Sequence, residues 1–223
     1  GFVDAAHYAI REGLRLAAQG GDPLRQASLK RTVAWLCIMQ GRNREAHHIA
    51  TTAAAELAPS GNSPLPVWTV YGTLLLNGVI AAARDQDRPK AEVLLDEARS
   101  AAARTGHRSD YECEFGPQKV ATHAVEVAIV TENYTDALDE AARMPMRLQL
   151  PLLNRVEHLA NMALAHTRLG HDGVAIEVLQ QIRRVAPQFL LVRRTAQLVL
   201  RELYDRSTPP ALVDLARTAG LLR

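Results

Sequence analysis

Aromatic residues make up only 4% of these 223 residues, too few to build a β-rich core on aromatic and β-branched cross-strand pairs. Cysteine is nearly absent. Cys37 and Cys113 form neither a CxxC motif nor a Cys/His cluster, which excludes a disulfide framework and a zinc finger and fits a reducing cytoplasm. No run reaches the roughly eighteen uninterrupted apolar residues that a bilayer span needs, and no basic segment leads into an apolar one at the start, so no membrane partner is expected. Charge of one sign is missing too. The formal net charge is +2, with basic residues interspersed among acidic ones, so no patch stands out that would neutralise several phosphates, and direct nucleic-acid binding by this stretch is not expected. Phosphate-cradling, dinucleotide, nucleophile-elbow and HExxH motifs are all lacking.

What is present is alanine, leucine and regular punctuation. Gly20-Gly21-Asp22-Pro23, Gly41-Arg42-Asn43, Pro59-Ser60-Gly61-Asn62, Asp85-Gln86-Asp87, Gly106, Gly116-Pro117, Glu132-Asn133, Pro145, Gly170-His171-Asp172, Pro187 and Pro209-Pro210 divide the chain. Apolar positions between these breaks recur at three and four, as in Leu159, Met162, Ala163 and Val174, Val178, Leu179, Ile182, which is the helical period. No segment alternates strictly enough to read as a strand, and the expected class is all-α.

Self-similarity extends this reading. Arg42 to Ala46, Asp87 to Ala91, Asn133 to Ala137 and His171 to Ala175 each place an alanine after a short polar turn. Each alanine is followed four residues on by Ala50, Leu95, Ala141 or Leu179, and a small residue (Ala34, Gly78, Ala124 or Ala163) lies about twelve positions before it. Small residues at these places let the two helices of a hairpin approach closely. A hairpin that cannot bury its apolar face alone stacks on neighbours of its own kind. The expected architecture is therefore a tetratricopeptide-like, right-handed helical-hairpin solenoid. Its units run over about 1–22 (partial), 23–60, 65–106, 115–145 and 151–187, with capping helices over 188–223. The second and third units carry Gln86 and Glu132 where the first and fourth have a turn glycine, and the third ends early before Met144-Pro145-Met146. The start at Gly1-Phe2, without an initiator methionine and already inside an amphipathic pattern, reads as a piece of a longer protein.

Chemistry is scarce. His47 and His48 are neighbours and point about 100° apart on a helix, so they do not readily chelate one metal. His166 and His171 straddle a turn and read as surface residues. His123 and Glu126 lie at i and i+3, where they can meet as a hydrogen-bonded or groove-lining pair. Cys113 between Glu112 and Glu114 has like charge against a thiolate. Neither an enzyme nor a cofactor is expected. Binding remains. If the first helix of each hairpin lines the concave side, the lining comprises Arg31 and Trp35, then Thr73, Asn77 and Arg84, then Lys119, Thr122, His123 and Glu126, then Glu157 and Asn161. Such a polar, mixed-sign wall suits a peptide backbone or a small ligand with carbonyl or carboxylate groups. Leu212, Leu215 and Leu221, expected to be exposed on the terminal helices, either cap the array or join two copies.

Val70-Tyr71-Gly72-Thr73-Leu74-Leu75-Leu76 and the run from Tyr111 through Phe115-Gly116-Pro117-Gln118-Lys119-Val120-Ala121-Thr122-His123 resemble the C-terminal sensor region of actinobacterial helix-turn-helix transcriptional regulators of the Xre/Cro class. Members of that family carry a LYGALLL-like run and FGPTNVALH; here Gln118 and Lys119 stand where the family has Thr-Asn. The terminal Leu215-Ala216-Arg217-Thr218-Ala219-Gly220 pattern is similar to the family's as well. The resemblance implies a homodimerising, effector-binding array for a peptide or small molecule, with operator DNA bound only by an N-terminal domain missing from this chain. Phe115-Gly116-Pro117 either starts a helix, with proline preorganised for its first turn, or sets the floor of a pocket at a helix N-terminus. The expected function is ligand sensing and oligomerisation in a cytoplasmic transcription regulator. The alternatives are a scaffold that binds a partner's peptide or helix, and a hydrolase or transferase built on helical hairpins.

Overall fold

A computed structural model describes residues 2–144 and 150–222; Pro145 and Met146 of the sequence reading lie outside them. The described chain is mostly helical: α1 (Phe2–Gly20), α2 (Pro23–Met39), α3 (Asn43–Leu57), α4 (Leu65–Arg84), α5 (Arg88–Thr105), α6 (Pro117–Val130), α7 (Tyr134–Ala142), α8 (Leu152–Arg168), α9 (Asp172–Val185), α10 (Gln188–Val192), α11 (Arg194–Arg206) and α12 (Pro210–Thr218). It divides into two compact units, one ending at His123 and the other beginning at Ala124, a boundary that falls within α6.

Local chemistry explains where the helices begin. The Asp22 carboxylate accepts from the amides of Leu24 and Arg25 at 3.0 and 3.1 Å, and Pro23 occupies the first turn of α2. Those are helix-start signals, because two otherwise orphaned N–H groups gain an acceptor. Asp87 does the same for α5, accepting from the Lys90 amide at 3.2 Å.

The turns that join the helices of each hairpin share one geometry. Gly41, Gln86, Glu132 and Gly170 have φ of 75°, 61°, 59° and 76°. The amide just after each turns back on the preceding helix: Arg42 to the Cys37 carbonyl at 2.9 Å, Asp87 to Ala82 at 3.0 Å, Asn133 to Ala128 at 2.8 Å and His171 to His166 at 2.8 Å. This is the left-handed C-terminal turn that satisfies a helix's last carbonyls. It holds even where the sequence supplies Gln86 and Glu132 in place of glycine.

In the first unit α4 is the central element, packing against α2, α3 and α5. Ala34, Ala46, Ala50 and Ala91 have no exposed surface, and a Cβ on Gly78 would stand 3.0 Å from Leu94 of α5. Close helix approach thus depends on the small positions of the sequence pattern. Within the described residues α4 alone is long and apolar enough to cross a membrane, and 67% of that window is buried inside the fold. It is a core helix.

One element departs from the all-helical expectation. Arg108–Asp110 (β1) and Cys113–Phe115 (β2) form an antiparallel hairpin in the register Arg108↔Phe115, Ser109↔Glu114, Asp110↔Cys113. Three-residue strands are too short for alternation to register in a sequence pattern. Their two-residue turn, Tyr111 and Glu112 at φ of 52° and 57°, lacks the Asn-Gly or Asp-Gly that marks such turns. Gly106 and Gly116 set the base of the hairpin, where a Cβ on Gly116 would stand 2.7 Å from the Gly106 carbonyl oxygen.

In the second unit the core gathers Val125, Ala128, Ala137, Val156, Ala163, Leu179, Ile182, Leu190, Leu200 and Leu203 with Leu212 and Leu215. Leu212 and Leu215 are completely buried and Leu221 is partly covered against the same core, which corrects the expectation that these side chains are exposed. Helix α12 folds back on α9 and α11 and spends its apolar face inside the unit.

Candidate functional site

The candidate residues of α2 and α4 meet directly. Asn77, midway along α4, donates from Nδ2 to the Arg31 carbonyl of α2 at 2.7 Å. Part-buried between the two helices, this bond ties one hairpin to the next. The Arg31 side chain is half-buried; its Nη2 donates to Thr32 Oγ1 at 3.1 Å. Its Nε is fully covered and has no hydrogen-bond partner, and no acidic side chain among the described residues pairs with Arg31. Withdrawing part of a cation from water without a counter-ion costs free energy, and of the candidate residues of α2 and α4 Arg31 is the one with a buried, unpartnered polar atom.

Its neighbours differ. Trp35, one turn on from Arg31, is 48% exposed, and Met39 one turn further is 60% exposed. Thr73 is buried, and its hydroxyl donates to the Val70 carbonyl of its own helix at 2.8 Å, so it is satisfied locally. Arg84 is exposed at the end of α4.

The hairpin fastens to the same two helices. The fully buried ring of Phe115 lies in a notch left by Gly72 of α4, where a Cβ would stand 2.1 Å from the ring. Asp110 accepts from Thr69 Oγ1 of α4 at 2.8 Å and takes both Nε and Nη2 of Arg108 at 3.0 and 3.1 Å. The guanidinium first, then the Thr69 hydroxyl, holds the Asp110 carboxyl below its ordinary range. At the tip, Ser28 Oγ of α2 donates to the Tyr111 carbonyl at 2.7 Å, and Arg25 lies over the Tyr111 ring at 5.0 Å while pairing with Glu112 at 2.6 Å. Sequence reasoning missed Ser28, Thr69, Arg108 and Asp110. The contacts that fasten the hairpin, Thr69 to Asp110 and Ser28 to Tyr111, span 41 and 83 positions, beyond any local pattern.

Past the hairpin, Pro117 begins α6. Thr122 Oγ1 donates to the Lys119 carbonyl at 2.8 Å, and His123 Nδ1 stands 2.9 Å from the same oxygen. Since a carbonyl only accepts, His123 carries its proton on Nδ1. Desolvation, and then the positive charge of Lys119, push the His123 imidazole down to about 3. It is neutral at physiological pH.

In the second unit Glu126 and Asn161 are half-buried, and Glu157 is paired with Arg193 at 2.7 Å. Deeper in α8, His158 is buried with Nδ1 unpartnered, and burial lowers its affinity for a proton. Among the described residues no group of three or more His, Cys, Asp or Glu side chains is placed to hold a metal ion. No family model, curated protein or solved structure matches the chain.

Proposed function

We propose that this chain is a ligand-binding helical-repeat array, the sensing and oligomerising part of a cytoplasmic transcriptional regulator, taking a peptide or small effector on the wall formed by α2 and α4. Support for the repeat comes from the left-handed turn that recurs at Gly41, Gln86, Glu132 and Gly170 and from the buried alanines one turn beyond each.

The observation that carries the binding reading is Arg31. Its side chain is half-buried and keeps an unpartnered Nε, and among the described residues no carboxylate pairs with it. An incoming carboxylate or carbonyl would supply the acceptor that the fold withholds, and charge-assisted hydrogen bonds of this kind are the stronger ones. The Asn77 bond to the Arg31 backbone gives such a ligand a route into the packing of α2 against α4. A small change there, repeated along the array, alters its pitch and with it the disposition of paired DNA-binding domains supplied outside this chain. The test is retention of a co-purifying ligand by the wild type and its loss from Arg31→Met, which keeps the aliphatic stem and removes the donor.

A second reading, a scaffold for a partner's peptide or helix, is favoured by Trp35 and Met39, exposed one turn apart on α2. Aromatic and methionine side chains are enriched at protein interfaces. In that case a protein complex replaces the small ligand.

A further inference from the structure

The hairpin of α8 and α9 carries a feature that the sensing role leaves unused. His166 lies in the last turn of α8, and His171 precedes the first residue of α9. The turn between them is fixed by backbone: Gly170 has φ of 76°, its amide donates to Thr167 at 3.2 Å, and the His171 amide donates to the His166 carbonyl at 2.8 Å. That turn brings the two imidazoles together, with Nδ1 to Nδ1 at 3.4 Å and ring centroids 5.6 Å apart.

The separation bears on two uses of the pair. At 3.4 Å the pair stands at the outer edge of hydrogen-bonding distance, beyond the roughly 2.7–3.2 Å typical of N–H···O bonds. Two nitrogens bound to one cation at about 2.0–2.1 Å and the tetrahedral angle stand about 3.3–3.4 Å apart, which is the observed spacing. We infer that His166 and His171 form a two-histidine chelate for a divalent transition-metal cation of the zinc or nickel type, clamping the end of α8 to the start of α9.

His171 is exposed and His166 partly so, leaving room for water in the other coordination positions. The adjacent carboxylate, Asp172, is held by Arg206 at 2.7 Å, and among the described residues no third protein ligand completes the set. The site therefore binds reversibly and follows the cation's availability. Imidazole ligands select zinc, nickel or copper over magnesium and calcium, which prefer oxygen.

The experiment is calorimetric titration of the untagged full chain with zinc chloride and nickel chloride, with thermal unfolding followed in parallel. The variants are His171→Gln, His166→Gln and the surface control His48→Gln. Expected are one equivalent bound by the wild type with a rise in Tm, at least ten-fold weaker binding in His171→Gln and His166→Gln, unchanged binding in His48→Gln, and no response to magnesium. His171 lies on the surface, so its variant keeps the fold even if His166→Gln does not. Equal affinity in His171→Gln, or no zinc or nickel binding by the wild type, would overturn the proposal and leave a hydrogen-bonded pair only.

Discussion

Phe115 and Gly72 show how much rests on single residues. The ring fills the space where any side chain on residue 72 would sit, with 2.1 Å between a Cβ and the ring edge, and the hairpin is anchored on that contact. Gly72→Ala is therefore expected to lower unfolding free energy by about 1–3 kcal/mol through overpacking, measured by urea denaturation; an unchanged midpoint would show that the ring moves aside freely. The buried histidines set a second expectation. His123 and His158 both have folded-state proton affinities lowered by burial. As pH falls below about 6.5 the unfolded chain takes up protons that the native chain refuses, so stability is present above that pH and is lost as pH drops toward the folded value. Between pH 6.5 and 5 His123, pushed down to about 3, is expected to contribute a loss of up to about 1.4 kcal/mol per pH unit, with His158 adding in the same direction, and His123→Gln should flatten the curve relative to wild type. An identical slope in that variant would mean that His123 titrates alike in both states.

At the scale of the element, the helices and their small contact positions were legible in the sequence because each is a local pattern: Asp22-Pro23 starts α2, and Ala46, Ala91, Ala137 and Ala175 mark the close approaches. The β-hairpin was not, since its strands are three residues long and its fastening points, Ser28 and Thr69, lie far away in the chain. The turns fall between. Glycine announced those at Gly41 and Gly170, while Gln86 and Glu132 adopt the same left-handed backbone without announcing it, because surrounding helix packing overrides a local cost. That cost is recoverable. Glu132, exposed at φ of 59°, is expected to yield roughly 0.5–1 kcal/mol of added stability on replacement by glycine, which adopts this conformation freely. A denaturation midpoint that falls instead would show that the Glu132 side chain holds the turn.

For the whole molecule, helical spacing names candidate positions but not their environments. Arg31 and Asn77 share a contact, whereas Thr73 is satisfied on its own helix and Phe115 belongs to the core. Spacing along a helix says which way a side chain leaves the backbone; whether it then finds a partner depends on residues far off in sequence. Glu157, for example, ends on Arg193. The sensing proposal accordingly narrows to Arg31, a half-buried cation with no counter-ion among the described residues.

Native mass spectrometry of the protein purified from its own cells, wild type against Arg31→Met, tests that proposal most directly. The account predicts a bound peptide or small molecule bearing a carboxylate or carbonyl group in the wild-type spectrum and its absence from the variant at unchanged helical content. A ligand held equally by both proteins, or a wild-type spectrum containing only the free chain, would contradict it.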